Sequence, residues 1–332
     1  MKNKRIVVTG GAGFVGSNLL PHLLRENNRV VVFDNFSNGK MENLVDLKGD
    51  PNLQIVKGDA RNADEVKHAF QGAQVIIHLC CQGVRQAIKD PQYVNDVIVG
   101  GTLNCLEAAV ENKVELFFNV SSVAVYGKAK YFPVDEEHSM SPVSAYGIAK
   151  AAQDLYVRNY GFFRDLPWLT LRFTAMYGPH SHWESYSGEV IPRMVIRAMN
   201  RQPLLVFGEG TQTRDFLYVG DAVKAILALL DAPQCQGEIF NYGSKTETSI
   251  IEIAETICRQ FGMQPASGIQ KLPMRPGDSA RVVCDHTKFK NRLGFSPGTA
   301  MDDGLRSTIE WFATLPYPPE KLLADVTVKN WQ

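Results

Sequence analysis

Thr9-Gly10-Gly11-Ala12-Gly13-Phe14-Val15-Gly16 follows directly on an apolar run, Ile6-Val7-Val8, and leads into a helical pattern. Gly10, Gly13 and Gly16 give the spacing G-x-x-G-x-x-G, one residue longer in its turn than the G-x-G-x-x-G of the simplest dinucleotide-binding domains. The physical need is the same. Glycine permits the tight turn, lets backbone N–H groups approach phosphates and lets the helix pack closely on the strand. The helix N-terminus then faces a pyrophosphate. Gly10, Gly13 and Gly16, with the backbone of Phe14 and Val15, are therefore candidate cofactor contacts. A strand-to-helix turn without a ligand is the plain alternative, and four glycines in eight residues weigh against it.

Outward from this turn, short apolar runs alternate with helical patterns. Runs at Ile6–Val8, Val30–Phe33, Leu53–Val56, Val75–Leu79, Leu116–Val120 and Trp168–Phe173 are separated by helical stretches such as Gly16–Glu26, Ala63–Phe70, Thr102–Val110 and Ala145–Phe162. This rhythm predicts an α/β fold of Rossmann type, a doubly wound parallel sheet with its ligand site at the carboxyl ends of the strands. After Pro179 the rhythm breaks. A polar stretch, His180–Glu189, leads to helices over Ile191–Asn200 and Asp221–Leu230, a strand near Glu238–Tyr242, and a last helix near Asp302–Phe312. The expected division is a dinucleotide-binding domain over 1–178, joined by a returning strand near 238–243, and a smaller α/β substrate domain over 179–332.

Composition narrows the class. The chain has 332 residues, 45% hydrophobic and 21% charged, with 35 basic and 35 acidic side chains and hence no net charge. That balance argues against nucleic acid or an anionic membrane as the main partner. No apolar run approaches the roughly 20 residues of a membrane span. The basic start Met-Lys-Asn-Lys-Arg runs straight into the first apolar run and reads as strand one, not a signal peptide. Six cysteines at 80, 81, 105, 235, 258 and 284 show no metal spacing. They read as reduced thiols in a cytoplasmic protein, and no metal is expected.

Asp34 ends the second apolar run about 20 residues beyond the glycine turn, where a carboxylate accepts hydrogen bonds from adenosine ribose hydroxyls and repels a 2′-phosphate. NAD is therefore expected over NADP. The alternative is an aspartate capping the turn Asn35–Gly39. Asn35, the pair Asp59-Ala60 after the third run, and Leu79 at the end of the fourth join the candidate cofactor set, which Tyr146 and Lys150, the latter at the nicotinamide ribose, complete. Tyr146 and Lys150 stand one helical turn apart in Tyr-Gly-Ile-Ala-Lys, on one helix face. A tyrosine with an ordinary pKa near 10 becomes a base near neutrality only if a cation lowers it. Lys150 and a positive nicotinamide ring can both do so. Ser121-Ser122 ends the fifth run, and a hydroxyl there can hydrogen-bond the reacting oxygen. An exposed helical Tyr–Lys pair is common by chance; its order and separation from the glycine turn favour a working unit.

With these residues the chain resembles the extended short-chain dehydrogenase/reductase family, in its NAD-dependent nucleotide-sugar epimerase/dehydratase branch. The resemblance runs through TGGAGFVGS (9–17), FDNFSNG (33–39), GDA (58–60), VSSVAVYG (120–127), SAYGIAK (144–150), LRFTAMYGP (171–179), GEGTQTRDFLYV (208–219) and RPGD (275–278). It implies Ser122, Tyr146 and Lys150 as catalytic triad, tightly bound NAD, and a nucleotide-diphosphate sugar as substrate. Arg214 and Arg275 match the family's phosphate-binding arginines, a role that suits guanidinium groups. Phe207 packs either near the nucleotide base or in the core. A homodimer is implied, with the helices from Ala145 and Thr102 as candidate interface.

Within the branch, the residues after the serine discriminate. Dehydratase relatives carry an acidic pair or a glutamate there, decarboxylases a glutamate, and 3,5-epimerases or epimerase-reductases a cysteine nearby. This chain has Val123-Ala124, which neither donate nor accept a proton, and so looks like the 4-epimerases. Competing expectations are a 4,6-dehydratase, decarboxylase or 4-keto-forming dehydrogenase, and a non-catalytic NAD-binding sensor or scaffold, which the intact triad opposes. Departures from the family pattern cluster around the sugar. Cys80-Cys81 replace two alanines, Gln82-Gly83-Val84-Arg85 is one residue shorter than its counterpart in uronate- and pentose-handling relatives, and Ala175 stands where many relatives have asparagine beside the sugar diphosphate. His180 follows YGP where uronate relatives often have arginine, and His180 and His182 read as solvent-contacting loop histidines.

Overall fold

The computed structural model describes residues 1–184, 187–274 and 280–329. Six of the predicted runs form strands β1 (Arg5–Thr9), β2 (Arg29–Asp34), β3 (Leu53–Lys57), β4 (Val75–His78), β5 (Leu116–Ser122) and β6 (Trp168–Phe173). Strands β7 (Ala175–Tyr177), β8 (Leu204–Phe207), β9 (Thr213–Tyr218), β10 (Ile239–Tyr242), β11 (Glu247–Ser249), β12 (Ile269–Leu272) and β13 (Arg281–Val282) follow. The main sheet has the order β10-β6-β5-β4-β1-β2-β3 and its registers are all parallel. The chain thus winds out in one direction from β1 to β3, returns to β4 and winds the other way. That reversal opens a crevice at the strands' carboxyl ends.

Except along the edge strand β3, both faces of this sheet are buried, which explains why its strands read as continuous apolar runs. Ile6, Val8, Val30, Val32, Ile77 and Phe118 face one core; Val7, Val31, Phe33, Ile76 and Phe117 face the other. The helix Phe14–Arg25 covers the first with Leu19, Leu20, Leu23 and Leu24. The helix Gly101–Glu111 covers the second with Cys105, Leu106 and Ala109.

Beyond β6, β7 and β13 pair parallel with β9, β11 pairs antiparallel with it, and β8 pairs with β12. Helices Val190–Met199, Ile250–Gln260 and Met301–Thr314 close a separate core around Ile191, Val195, Ile253, Ile257 and Leu305. The start of helix Ile250–Gln260 is written in the sequence as Ser-x-x-Glu. Ser249 and Glu252 form a reciprocal capping box, in which the Ser249 hydroxyl accepts from Glu252 N (3.2 Å) and Glu252 Oε2 accepts from Ser249 N (2.7 Å).

Candidate active site

The crevice begins at the glycine turn. Gly10 has φ +67°, and a Cβ there would lie 3.0 Å from the backbone of Cys80. Gly16 touches the turn itself, since a Cβ would come within 2.5 Å of Gly11 O. No side chain caps the helix that starts at Phe14. Its first N–H groups lack intrahelical partners, as at any helix start, and form a donor surface suited to a pyrophosphate, while Gly13 N donates to Gly10 O (3.1 Å) and shapes the turn.

Asp34 lies at the end of β2 and is buried. Its Oδ2 accepts from Ala12 N (2.9 Å) and its Oδ1 from Phe36 N (2.8 Å). Burial pushes its carboxyl up, and the two backbone donors pull it down. The turn-capping reading is therefore correct for one oxygen, while the other ties β2 to the glycine turn. Each oxygen keeps lone pairs for further donors. Asn35 donates to Asp59 Oδ2 (3.1 Å). Arg61 grips Asp59 through Nε (3.0 Å) and Nη2 (2.8 Å), which with the Asn35 bond brings the Asp59 carboxyl down to about 2. Ala60 is buried beneath the helix Gly101–Glu111, where Asn104 Nδ2 donates to its carbonyl (2.9 Å). Leu79 is half-buried, and its N–H bonds Thr9 O (3.1 Å). These residues share one end of the sheet, and a dinucleotide fits the donor set and the glycine cradle.

Ser122 ends β5, and its Oγ accepts from Ala124 N (3.2 Å). Ser144 caps the helix Ala145–Phe163, which carries Tyr146 and Lys150. The structure brings the three together: the Tyr146 phenol is hydrogen-bonded to Ser122, and Lys150, only 2% exposed, donates to Val120 O (3.0 Å) and Gln153 Oε1 (2.9 Å). Burial pushes the Tyr146 phenol well above the ordinary tyrosine range; Cys81, Glu189 and Asp154 act in the same direction, and the Ser122 bond opposes them.

Beneath the triad runs a buried polar chain. Arg172 of β6 binds Asp154 (2.8 Å) and donates to Tyr126 Oη (2.6 Å), which donates to Asn241 Oδ1 of β10 (2.8 Å). Asp154 follows Tyr146 and Lys150 at the same four-residue step, a signal that the sequence contained. His78, at the end of β4, sits between Thr9 Oγ1 (2.8 Å) and Thr102 Oγ1 (3.0 Å), and burial pulls it down to about 3.

The sugar side is less regular. Cys80 is half-buried, with its thiol pushed up to about 12 by burial, and Cys81 is exposed. Arg85 pairs with Glu189 (3.2 Å) across the crevice mouth. Glu189 was not singled out from the sequence, where it reads as one more loop carboxylate. His180 and His182 are half-buried, keeping part of their surface in solvent. His180 lies against Trp311 (4.9 Å between ring centroids) and burial pulls it down to about 4; burial lowers His182 as well. Ala175 begins β7 and is exposed. Phe207 ends β8 half-buried, and Arg214 of β9 donates to Thr213 O (2.7 Å). Arg275 lies outside the described residues. Among the described residues no three His, Cys, Asp or Glu side chains converge as a metal site, and no helix is long and apolar enough to cross a membrane.

A model of the GDP-mannose 4,6 dehydratase family matches residues 7–308. The chain belongs to the NAD-dependent epimerase/dehydratase branch of the extended short-chain dehydrogenases. Members of the branch with different reactions are equally near. The dTDP-glucose 4,6-dehydratase of Streptomyces niveus is 33% identical over 316 residues, covering 93% of this chain and 92% of its own. The UDP-glucose 4-epimerase of Mycolicibacterium smegmatis is 32% identical over 311 residues, covering 93% and 98%. The structure of UDP-glucuronic acid 4-epimerase from Bacillus cereus in complex with UDP-glucuronic acid and NAD matches with a TM-score of 0.87 and 29% identity, over 93% of this chain and 99% of that one. The chain is thus an enzyme of the nucleotide-sugar epimerase/dehydratase family.

Proposed function

We propose that this enzyme is an NAD-dependent nucleotide-sugar 4-epimerase that works through a transient 4-keto sugar, with a UDP-hexose or UDP-uronate as substrate. The observation that carries this reading is the turn Val123–Val125 after Ser122, which places only apolar side chains beside the triad. Epimerisation at carbon 4 needs no further proton-transferring group; elimination or decarboxylation does.

In this reading Gly10, Gly13, Phe14, Val15 and Gly16 hold the NAD pyrophosphate, and Asp34 holds the adenosine ribose. Asn35, Asp59, Ala60 and Leu79 line the remainder, and Lys150 reaches the nicotinamide ribose. Bound NAD supplies reversible hydride transfer at carbon 4. Burial above all holds the Tyr146 phenol up, so the Lys150 charge together with the positive ring of bound NAD has to bring it down before it takes the proton of the 4-hydroxyl, while Ser122 hydrogen-bonds the same oxygen. Arg214, Arg275, Phe207 and Ala175 surround the nucleotide diphosphate and hold it while the ketone turns over. Tyr146 then returns the proton on the opposite face, so that no net redox change occurs.

Glu189 favours a second reading. It is a carboxylate close enough to raise the Tyr146 phenol, and with Cys81 it offers the acid–base partner that a 4,6-dehydratase would need. Purified enzyme incubated with UDP-, dTDP-, GDP- and CDP-sugars, UDP-glucuronate included, separates the two by proton NMR and mass spectrometry. An isomer of unchanged mass with inverted carbon-4 couplings and no NADH supports the epimerase. A product lighter by water or carbon dioxide, or stoichiometric NADH, refutes it.

The assembly that we propose is a homodimer. Ile148, Leu155, Phe162 and Phe163 are exposed on the helix Ala145–Phe163, with Val84 and Ile88 exposed on the helix Val84–Lys89. The apolar residues of the helix that carries Thr102 are largely spent on the core. The second interface element is therefore Val84–Lys89, and a monomeric mass by light scattering would refute the dimer.

A further inference from the structure

Lys150 is a buried cation held by two neutral acceptors. Its Nζ donates to the Val120 carbonyl and to Gln153 Oε1, and among the described residues no carboxylate lies within ion-pair distance of it. Gln153 is completely buried, one turn further along the same helix, and its Nε2 has no hydrogen-bond partner. An amide buried with one end unsatisfied costs stability, so an apolar residue would pack more favourably unless the other end did something useful. The useful end is Oε1 on Lys150. The nearest alternative acceptor on this helix, Asp154, is committed to Arg172 and to Asn119 Nδ2 (3.0 Å).

We infer that Gln153 is a positioning residue that anchors the Lys150 ammonium without neutralising it. A glutamate of the same length would hold the ammonium more firmly but would cancel its field at the neighbouring phenol. An apolar residue would leave Val120 as the one fixed acceptor. The amide does neither: it occupies one N–H, the Val120 carbonyl a second, and the third stays available for the nicotinamide ribose. This rests on the assignment of Tyr146 as the base. The other titratable groups that face the pair are His78 and Cys80 near Lys150, and Cys81, Glu189 and Asp154 near Tyr146. Burial first, and then the last three, disfavour the phenolate, so that the uncompensated Lys150 charge and bound NAD together have to outweigh them.

The test reads Tyr146 directly. Enzyme with NAD added and tyrosine labelled with ¹³C at Cζ is titrated by NMR, and the Tyr146 resonance is identified by its loss in Tyr146→Phe. In Gln153→Glu the Tyr146 titration is expected to move up by about one pH unit or more, the ordinary size of a nearby charge effect. In Gln153→Met it moves up by less. Titrations that coincide with wild type in both variants overturn the inference. If Gln153→Glu does not fold, Gln153→Met decides alone, with an upward shift supporting and coincidence overturning. The readout needs no substrate. If no sugar nucleotide turns over, the reaction class fails while the anchoring result stands, and a turning-over enzyme with an unmoved Tyr146 fails the anchoring alone.

Discussion

The two ends of the crevice are built by different physics. The cofactor cradle is made of backbone: glycines whose missing Cβ atoms leave room for it, N–H groups of a helix start, and one aspartate that ties β2 to the turn. The catalytic floor is made of side chains paired in the dark, from Lys150 and Gln153 down through Asp154, Arg172 and Tyr126 to Asn241. Shape holds the first and charge holds the second, so the two should fail differently when damaged.

Tyr146→Phe probes the floor at its surface. Turnover is expected to fall by about 10²–10⁴-fold, the usual worth of a positioned acid–base group, while NAD content stays at the wild-type level. A variant that loses its NAD together with turnover would place Tyr146 in the cradle instead. Deeper down, Asp154→Ala leaves the Arg172 guanidinium buried and unpaired, which should cost about 3–5 kcal/mol in denaturant unfolding. The double variant Asp154→Leu/Arg172→Met should recover most of that, and a loss equal to the sum of the single variants would mean that the pair acts through other contacts.

The cradle responds in the opposite sense. Gly16→Val drives a side chain into the Gly11 carbonyl, costs about 1–3 kcal/mol, and should release NAD measured by absorbance of the denatured supernatant. Retained NAD would show that the helix can move away from the turn. The smallest effect belongs to Asp59. Its carboxyl is lowered from 3.8 to about 2 by Arg61, so its contribution is present above pH 3.8 and disappears as pH falls through about 2. Asp59→Asn should therefore flatten that acid limb of the melting temperature, and parallel curves would remove Asp59 from the account.

The same contrast explains what the sequence made legible. The strands of the main sheet other than the edge strand β3 are buried on both faces and announce themselves as apolar runs, and glycine spacing reports backbone geometry directly. Helix Ala63–Phe70 coincides with its sequence pattern, and Asn62, whose side chain accepts from Asp64 N and Glu65 N, fixes its start. Strands β7, β11 and β13 have three residues or fewer, and β11 carries polar residues on half-buried faces, so their pairing depends on distant partners that no local pattern encodes. Tyr146, Lys150 and Asp154 share a four-residue step visible in one dimension. Gln153 and Glu189 gain their meaning only from what the fold brings against them: a carbonyl of β5 in one case, and Arg85 with the Tyr146 phenol in the other. The partial cover of His180 by Trp311 was not legible either, because the tryptophan lies far along the chain.

Strand β10 has a consequence for how the chain comes off the ribosome. The polypeptide leaves the main sheet after β6 and does not rejoin it until Ile239–Tyr242 pairs with Thr170–Phe173. Throughout the synthesis of the intervening segment, β6 has one flank of backbone donors and acceptors open to any passing strand. A nascent chain paused there is a sheet with an unsealed border, and the strand that seals it arrives only after much of the second core has been made. The last stretch of the main sheet to be translated is thus also its guard against association with the wrong partner.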